Sequence, residues 1–108
     1  MIFFKNETLT DKVVKFTALE DETYSGYCLM KTNDNTADVY ELEFDADKPY
    51  LVEGLLRTAY NFASLKNIYM GKCTCANIDE FLEKMNFEKA DGVYINDIPS
   101  ILMGSCCK

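Results

Sequence analysis

Two carboxylates, Glu41 and Glu43, flank Leu42 in a stretch that alternates acidic and apolar side chains as far as Phe44. In an extended strand that spacing aims both acids at one face, where a carboxylate can serve as a general base. A solvent-facing acidic edge is the plainer reading of the same pattern. Cys73-Thr74-Cys75 and Cys106-Cys107 together offer four thiols to a metal. Structural zinc sites favour wider spacing between paired cysteines, so this set fits zinc poorly. Beside Lys108 the vicinal pair Cys106-Cys107 would suit a redox role, because a neighbouring ammonium favours thiolate; a frayed tail explains it equally well. No histidine occurs anywhere, which excludes every mechanism that uses imidazole as base, nucleophile or ligand.

The composition narrows the remaining classes. A chain of 108 residues has room for one domain, and its apolar fraction of 48% is enough for one core. Eighteen acidic against eleven basic residues give a net charge of -7, which repels a phosphate backbone and disfavours DNA or RNA as partner. No apolar run approaches the about 20 residues that cross a bilayer, and the start of the chain lacks a basic segment followed by an apolar one. The five cysteines are odd in number and sparse, as expected for reduced thiols. The expected setting is the cytoplasm.

The elements that must position these groups read as strands first and helices later. Residues 2–5, 12–19, 24–31 and 38–44 are predicted strands, the last two joined as an antiparallel hairpin through the polar segment 32–36. In the fourth, Tyr40, Leu42 and Phe44 are expected on one face, with Glu41, Glu43 and Asp45 on the other. At Asp45 to Pro49 the period changes; Asp47 suits an N-cap and Pro49 a first helical turn. Leu51, Val52, Leu55, Leu56, Ala59, Phe62 and Ala63 then form one helical stripe, predicting a helix over 51–65. Tyr60 and Arg57 fall off that stripe as surface residues. Gly54 inside a helix costs about 1 kcal/mol relative to Ala, so either a ligand phosphate or close packing on the sheet would require it.

Ile68 to Met70 predict a buried strand, broken at Gly71 and continuing over 72–75, reached from the helix by a parallel crossover. Asn77 with Glu80 resembles a capping box ahead of a shorter helix that runs to about Met85 and stops at Asn86, a residue that tolerates the left-handed conformation. Phe87 folds back on the core. Asp91-Gly92 marks a turn before Val93 to Ile95, and residues 97–102 fit a last strand or a short helix equally.

Gly54-Leu55-Leu56-Arg57-Thr58-Ala59 and the run from Asn77 to Phe87, ending Met85-Asn86-Phe87, carry a resemblance. The first is similar to the glycine and double-leucine opening of the central helix in GNAT-type N-acetyltransferases, the second to that family's terminal helix, which ends Leu-Gly-Phe. The likeness covers Leu51 to Met103, about half the chain. It implies an α+β fold: a mixed, mainly antiparallel sheet with two principal helices. Only Glu7 to Asp11 separates the first two strands, where the family places two helices, so those are expected to be missing.

The resemblance also implies a cofactor site. In the family, a splayed pair of parallel strands admits the pantetheine arm of an acyl-CoA, and backbone amides opening the central helix bind the pyrophosphate. Carried onto this chain, those contacts fall on Leu42 and Phe44 and on Tyr50, Leu51, Val52 and Gly54, with Glu41 or Glu43 as base. The family's glycine signature would fall on Asp47 to Val52, where no glycine stands and Pro49 removes a donor. Its tyrosine acid would fall on Leu82, which donates no proton. The implied function is an acetyltransferase-like protein that takes acetyl-CoA or another acyl-CoA, with catalysis in doubt. The alternative is a non-enzymatic interaction or assembly module, such as a homodimer that covers the cleft left by the missing helices.

Overall fold

The computed structural model describes residues 2–75 and 77–104. Four antiparallel strands come first: β1 (Ile2–Thr8), β2 (Val13–Glu20), β3 (Thr23–Thr32) and β4 (Thr36–Phe44). Asp21 and Glu22, with φ of 51° and 69°, close the β2–β3 hairpin in the left-handed geometry that two-residue turns demand. No helix intervenes between β1 and β2; Leu9 to Lys12 join them through a tight turn in which the Leu9 amide donates to the Val13 carbonyl at 2.9 Å.

Helix α1 (Tyr50–Leu65) crosses over to β5 (Met70–Cys73), which pairs parallel with β4. Helix α2 (Asp79–Lys84), β6 (Glu88–Ala90), β7 (Val93–Asp97) and α3 (Ile98–Met103) complete the chain. The resulting seven-stranded sheet has the order β1-β2-β3-β4-β5-β7-β6. The expected mixed, mainly antiparallel α+β fold is therefore the observed one. Among the described residues, no helix is long and apolar enough to cross a membrane.

All three helices lie on one face. Phe16, Cys28 and Leu42 stand in one cross-strand row on that face. Phe62 of α1 meets Phe16 edge-on at 5.4 Å, and the Cys28 thiol lies 3.9 Å from the Leu55 carbonyl. Phe81 of α2 reaches Phe44 at 6.4 Å, while Phe87 packs on Tyr60 at 5.6 Å. Burying this single layer of side chains supplies the main stabilising term of the domain. Among the described residues, no helix covers the opposite face.

Several local expectations need correction. The residue capping α1 is Pro49, without a side-chain cap; Asp47 instead donates its amide to Asp45 Oδ1 at 3.0 Å in a turn that leads into the helix. The capping box at Asn77 does not form either, because Asn77 sits at φ 68° and Ile78 precedes the helix. Gly71 does not interrupt a strand but lies inside β5, where an added Cβ would stand 2.6 Å from Ile101 Cδ1 and 3.0 Å from the Tyr60 ring. Asn86 does terminate α2 at φ 68°, and Asp91-Gly92 does form the β6–β7 turn at 52° and 80°. The open choice at 97–102 resolves to a helix because Asp97 caps it, accepting from the Ser100 amide at 2.9 Å.

Candidate functional site

A one-residue bulge divides β4. Leu29 opposes Glu41 but Met30 opposes Val39, so Tyr40 is the extra residue. The expected alternation of Tyr40 with Leu42 and Phe44 breaks at this point. Lys31 Nζ lies 5.2 Å over the Tyr40 ring, which places that ring on the uncovered face, whereas Leu42 and Phe44 remain half-buried on the helical side.

The parallel ladder to β5 ends where the bulge begins. Its last pair is Val39 with Cys73, followed by one bond from the Thr74 amide to the Val39 carbonyl at 3.1 Å. Strand β4 continues to Phe44 while the other chain turns away toward α2. Strand pairing between them ceases there. Cys75 stands at that point, with Sγ 3.4 Å from the Val39 carbonyl, and Thr74 Oγ1 donates to the buried Asp38 carboxylate at 3.2 Å. Hydrogen bonding from Cys73 holds the Cys75 thiol below its ordinary range, while Cys73 and the buried Cys28 are pushed up. Of the zinc donors considered above, Cys106 and Cys107 lie outside the described residues.

The predicted site residues are divided by the sheet. Glu41 and Glu43 are exposed on the uncovered face. Glu41 Oε2 accepts from the Tyr27 hydroxyl at 2.5 Å, a bond that pushes the phenol up to about 12. On the helical side, Leu51 and Val52 are fully buried and could meet a ligand only through their backbones. Gly54 lies directly beneath the Phe4 ring of β1, with an added Cβ 3.1 Å from Cε1 of that ring. Close packing therefore accounts for this glycine. Tyr50 is exposed, and its hydroxyl donates to Glu20 Oε2 at 2.6 Å.

The segment entering α1 satisfies itself. Besides the Asp47 bond, the Lys48 amide donates to the Asp45 carbonyl at 2.8 Å, Leu51 to Lys48 at 3.0 Å and Val52 to Pro49 at 3.1 Å. Lys48 Nζ pairs with Glu20 Oε1 at 2.8 Å, so Glu20 clamps both Lys48 and Tyr50. Those two partners hold the Glu20 carboxyl below the usual carboxylate range. Sequence reasoning missed this clamp because Glu20 belongs to a distant hairpin.

Tyr60 and Arg57, expected on the surface, are structural. Tyr60 is fully buried, and Arg57 donates to the carbonyls of Leu102, at 2.7 Å, and of Gly104, fastening the end of α3. Tyr60 follows Leu56 by one helical turn, so the spacing already placed it on the apolar stripe. A hollow of about 710 Å³ on the uncovered face, lined in part by Lys12, Lys31, Lys72 and Asp38, lies away from the predicted site residues.

A helix connects two parallel strands and is followed by a second helix and an antiparallel hairpin, and this arrangement superposes on solved acetyltransferases. The chain has the GNAT N-acetyltransferase fold. A protein from Desulfovibrio desulfuricans assigned to that family superposes with a TM-score of 0.77 at 13% identity, over 91% of this chain and 99% of that one. The ribosomal-protein-S18-alanine N-acetyltransferase from Escherichia coli gives 0.77 at 10% identity, over 91% and 94%. PaiA N-acetyltransferase from Thermoplasma acidophilum, solved in complex with coenzyme A, gives 0.65 at 18% identity, over 80% of this chain and 61% of that one. No protein-family model matches the sequence, and no curated protein matches it in sequence.

Proposed function

We propose that this chain is an acetyltransferase-like protein that binds an acyl-CoA, the acyl-pantetheine arm lying in the gap between β4 and β5. The observation that carries the reading is the end of the β4–β5 ladder at Val39 and Cys73, five residues before β4 itself stops at Phe44. A strand edge left without a neighbour offers amides and carbonyls to the amide groups of a pantetheine arm. Leu42 and Phe44 flank that edge, and the Tyr50 to Gly54 backbone lies at the head of α1.

The nucleotide end is held weakly in this reading. The amides of Asp47, Lys48, Leu51 and Val52 close their own turns, and Pro49 has none to give. An anion would also meet the carboxylates of Asp45 and Asp47. Binding energy then comes mainly from the acyl-pantetheine portion. If transfer occurs, an acceptor amine attacks the thioester carbonyl with Glu41 or Glu43 as base. Leu82, buried in the core, supplies no acid to the departing thiolate. The net charge of -7 disfavours nucleic acid as a partner, and the phosphates of an acyl-CoA meet the same repulsion.

Isothermal calorimetry tests the reading. Saturable binding of acetyl-CoA at micromolar affinity is expected, with acetyl-pantetheine losing little by comparison. Absence of heat at millimolar acetyl-CoA would sink it. A second reading, a non-enzymatic assembly module, is favoured by the sheet face that no described helix covers. Chemical labelling of Lys15 and Lys31 that slows as protein concentration rises would support a second copy on that face; unchanged labelling would dispose of it.

A further inference from the structure

The two edges of the sheet are unlike each other. Strand β6 is only Glu88–Ala90, short and charged, the pattern that keeps an edge from recruiting another strand. Strand β1 spans seven residues without proline or glycine, and nothing among the described residues pairs with its outer side. Phe3 on it is 59% exposed, and Leu9, just past its end, is 48% exposed. A long unpaired edge of this kind is a template for a further strand.

The hydrogen-bonding phase of β1 is fixed. Because the Leu9 amide points at Val13 of β2, antiparallel alternation turns the amides and carbonyls of Thr8, Asn6, Phe4 and Ile2 outward. We propose that β1 pairs antiparallel with β1 of a second copy of this chain, Asn6 facing Asn6 across a two-fold axis, so that two seven-stranded sheets become one.

Charge selects that register. With Asn6 on the axis, Lys5 of each copy stands opposite Glu7 of the other, in the non-hydrogen-bonded pairs where side chains approach most closely. Phe3 stands opposite Leu9, covering both exposed side chains. Asn6 exchanges backbone bonds with its counterpart, and Phe4 does so with Thr8. A two-fold axis perpendicular to the sheet permits only shifts of the axis by whole residues along β1. Moving it to Lys5 sets lysine against lysine, and moving it to Glu7 sets glutamate against glutamate. This interface leaves the β4–β5 gap untouched and does not depend on acyl-CoA binding.

Sedimentation velocity over a concentration series reads the association. The full chain is expected to dimerise, and Asn6→Pro to weaken dimerisation at least tenfold. In that variant the deleted amide is one that faces away from β2, so the intramolecular ladder keeps its bonds. Lys5→Glu should weaken the dimer similarly, and adding Glu7→Lys to it should restore association. Circular dichroism and the melting temperature verify that each variant is folded. A monomeric mass for the parent chain at all concentrations overturns the proposal. So does a folded Asn6→Pro variant that dimerises as well as the parent, or a charge-exchanged double variant no better than Lys5→Glu alone.

Discussion

The Tyr60 hydroxyl donates to the Lys72 carbonyl at 2.5 Å, joining the middle of α1 to the middle of β5 from within the core. Burial pushes the phenol far above its ordinary value, so it remains a donor throughout the physiological range. Tyr60→Phe keeps the ring on Phe87 and removes only this bond. The variant should lose about 1–2 kcal/mol of stability, the cost of leaving a buried carbonyl poorly satisfied. A urea titration checks it, and an unchanged midpoint would show that the bond contributes nothing net.

Gly71→Ala acts at the same junction from the strand side. The new methyl would collide with Ile101 Cδ1 at 2.6 Å and crowd Tyr60 at 3.0 Å. Overpacking of this kind costs about 1–3 kcal/mol, so the variant should melt at lower temperature than the parent. Combining it with Ile101→Val, which shortens the colliding side chain, should recover part of the loss.

Acid should loosen both the Glu20 clamp and the cap of α3. The Glu20 carboxyl is held low by hydrogen bonds from Lys48 and Tyr50, and Asp97 by the Ser100 amide and hydroxyl. A depressed folded value means the contribution is fully present above the unfolded value and is lost as pH falls through the folded one. Stability should therefore decline on acidification below the ordinary carboxylate range. Glu20→Gln combined with Asp97→Asn should flatten that limb, and a double variant with the parent's acid dependence would refute the assignment.

Thiol chemistry should rank the cysteines that the structure describes. Cys75 is half-buried with its thiol held low, whereas Cys28 and Cys73 are buried and raised. Brief treatment with iodoacetamide followed by peptide mass mapping should find Cys75 modified well before the other two. Preferential modification of Cys28 would contradict the arrangement.

Much of the architecture was legible because it follows from local periodicity. Short runs bounded by polar turn segments located the first four strands, and the stripe from Leu51 to Ala63 located α1. Asn86 and Asp91-Gly92 were readable because left-handed backbone has strong residue preferences. What could not be read depends on partners far along the chain. The bulge at Tyr40 is a matter of register between two strands, invisible in either alone. Glu20 gains its meaning only when the β2–β3 hairpin is brought beside Lys48 and Tyr50. Gly71 reads locally as a breaker, and only the arrival of Tyr60 and Ile101 shows why no side chain fits. The candidate site follows the same division: alternation put Glu41 and Glu43 on one face and Leu42 and Phe44 on the other, as observed, whereas the displacement of Tyr40 to the uncovered face depended on the bulge.

The position of β5 has a kinetic corollary. Strands β1 to β4 form successive hairpins, which close short loops and can assemble early. Pairing of Thr36 with Met70 must instead bracket the whole of α1, a closure with a larger entropic cost. The β4–β5 seam is then among the last parts of the sheet to form and among the first to open. Slow amide exchange in β2 and β3, with faster exchange along β5, would be the trace of a molecule whose candidate cleft sits on its own latest joint.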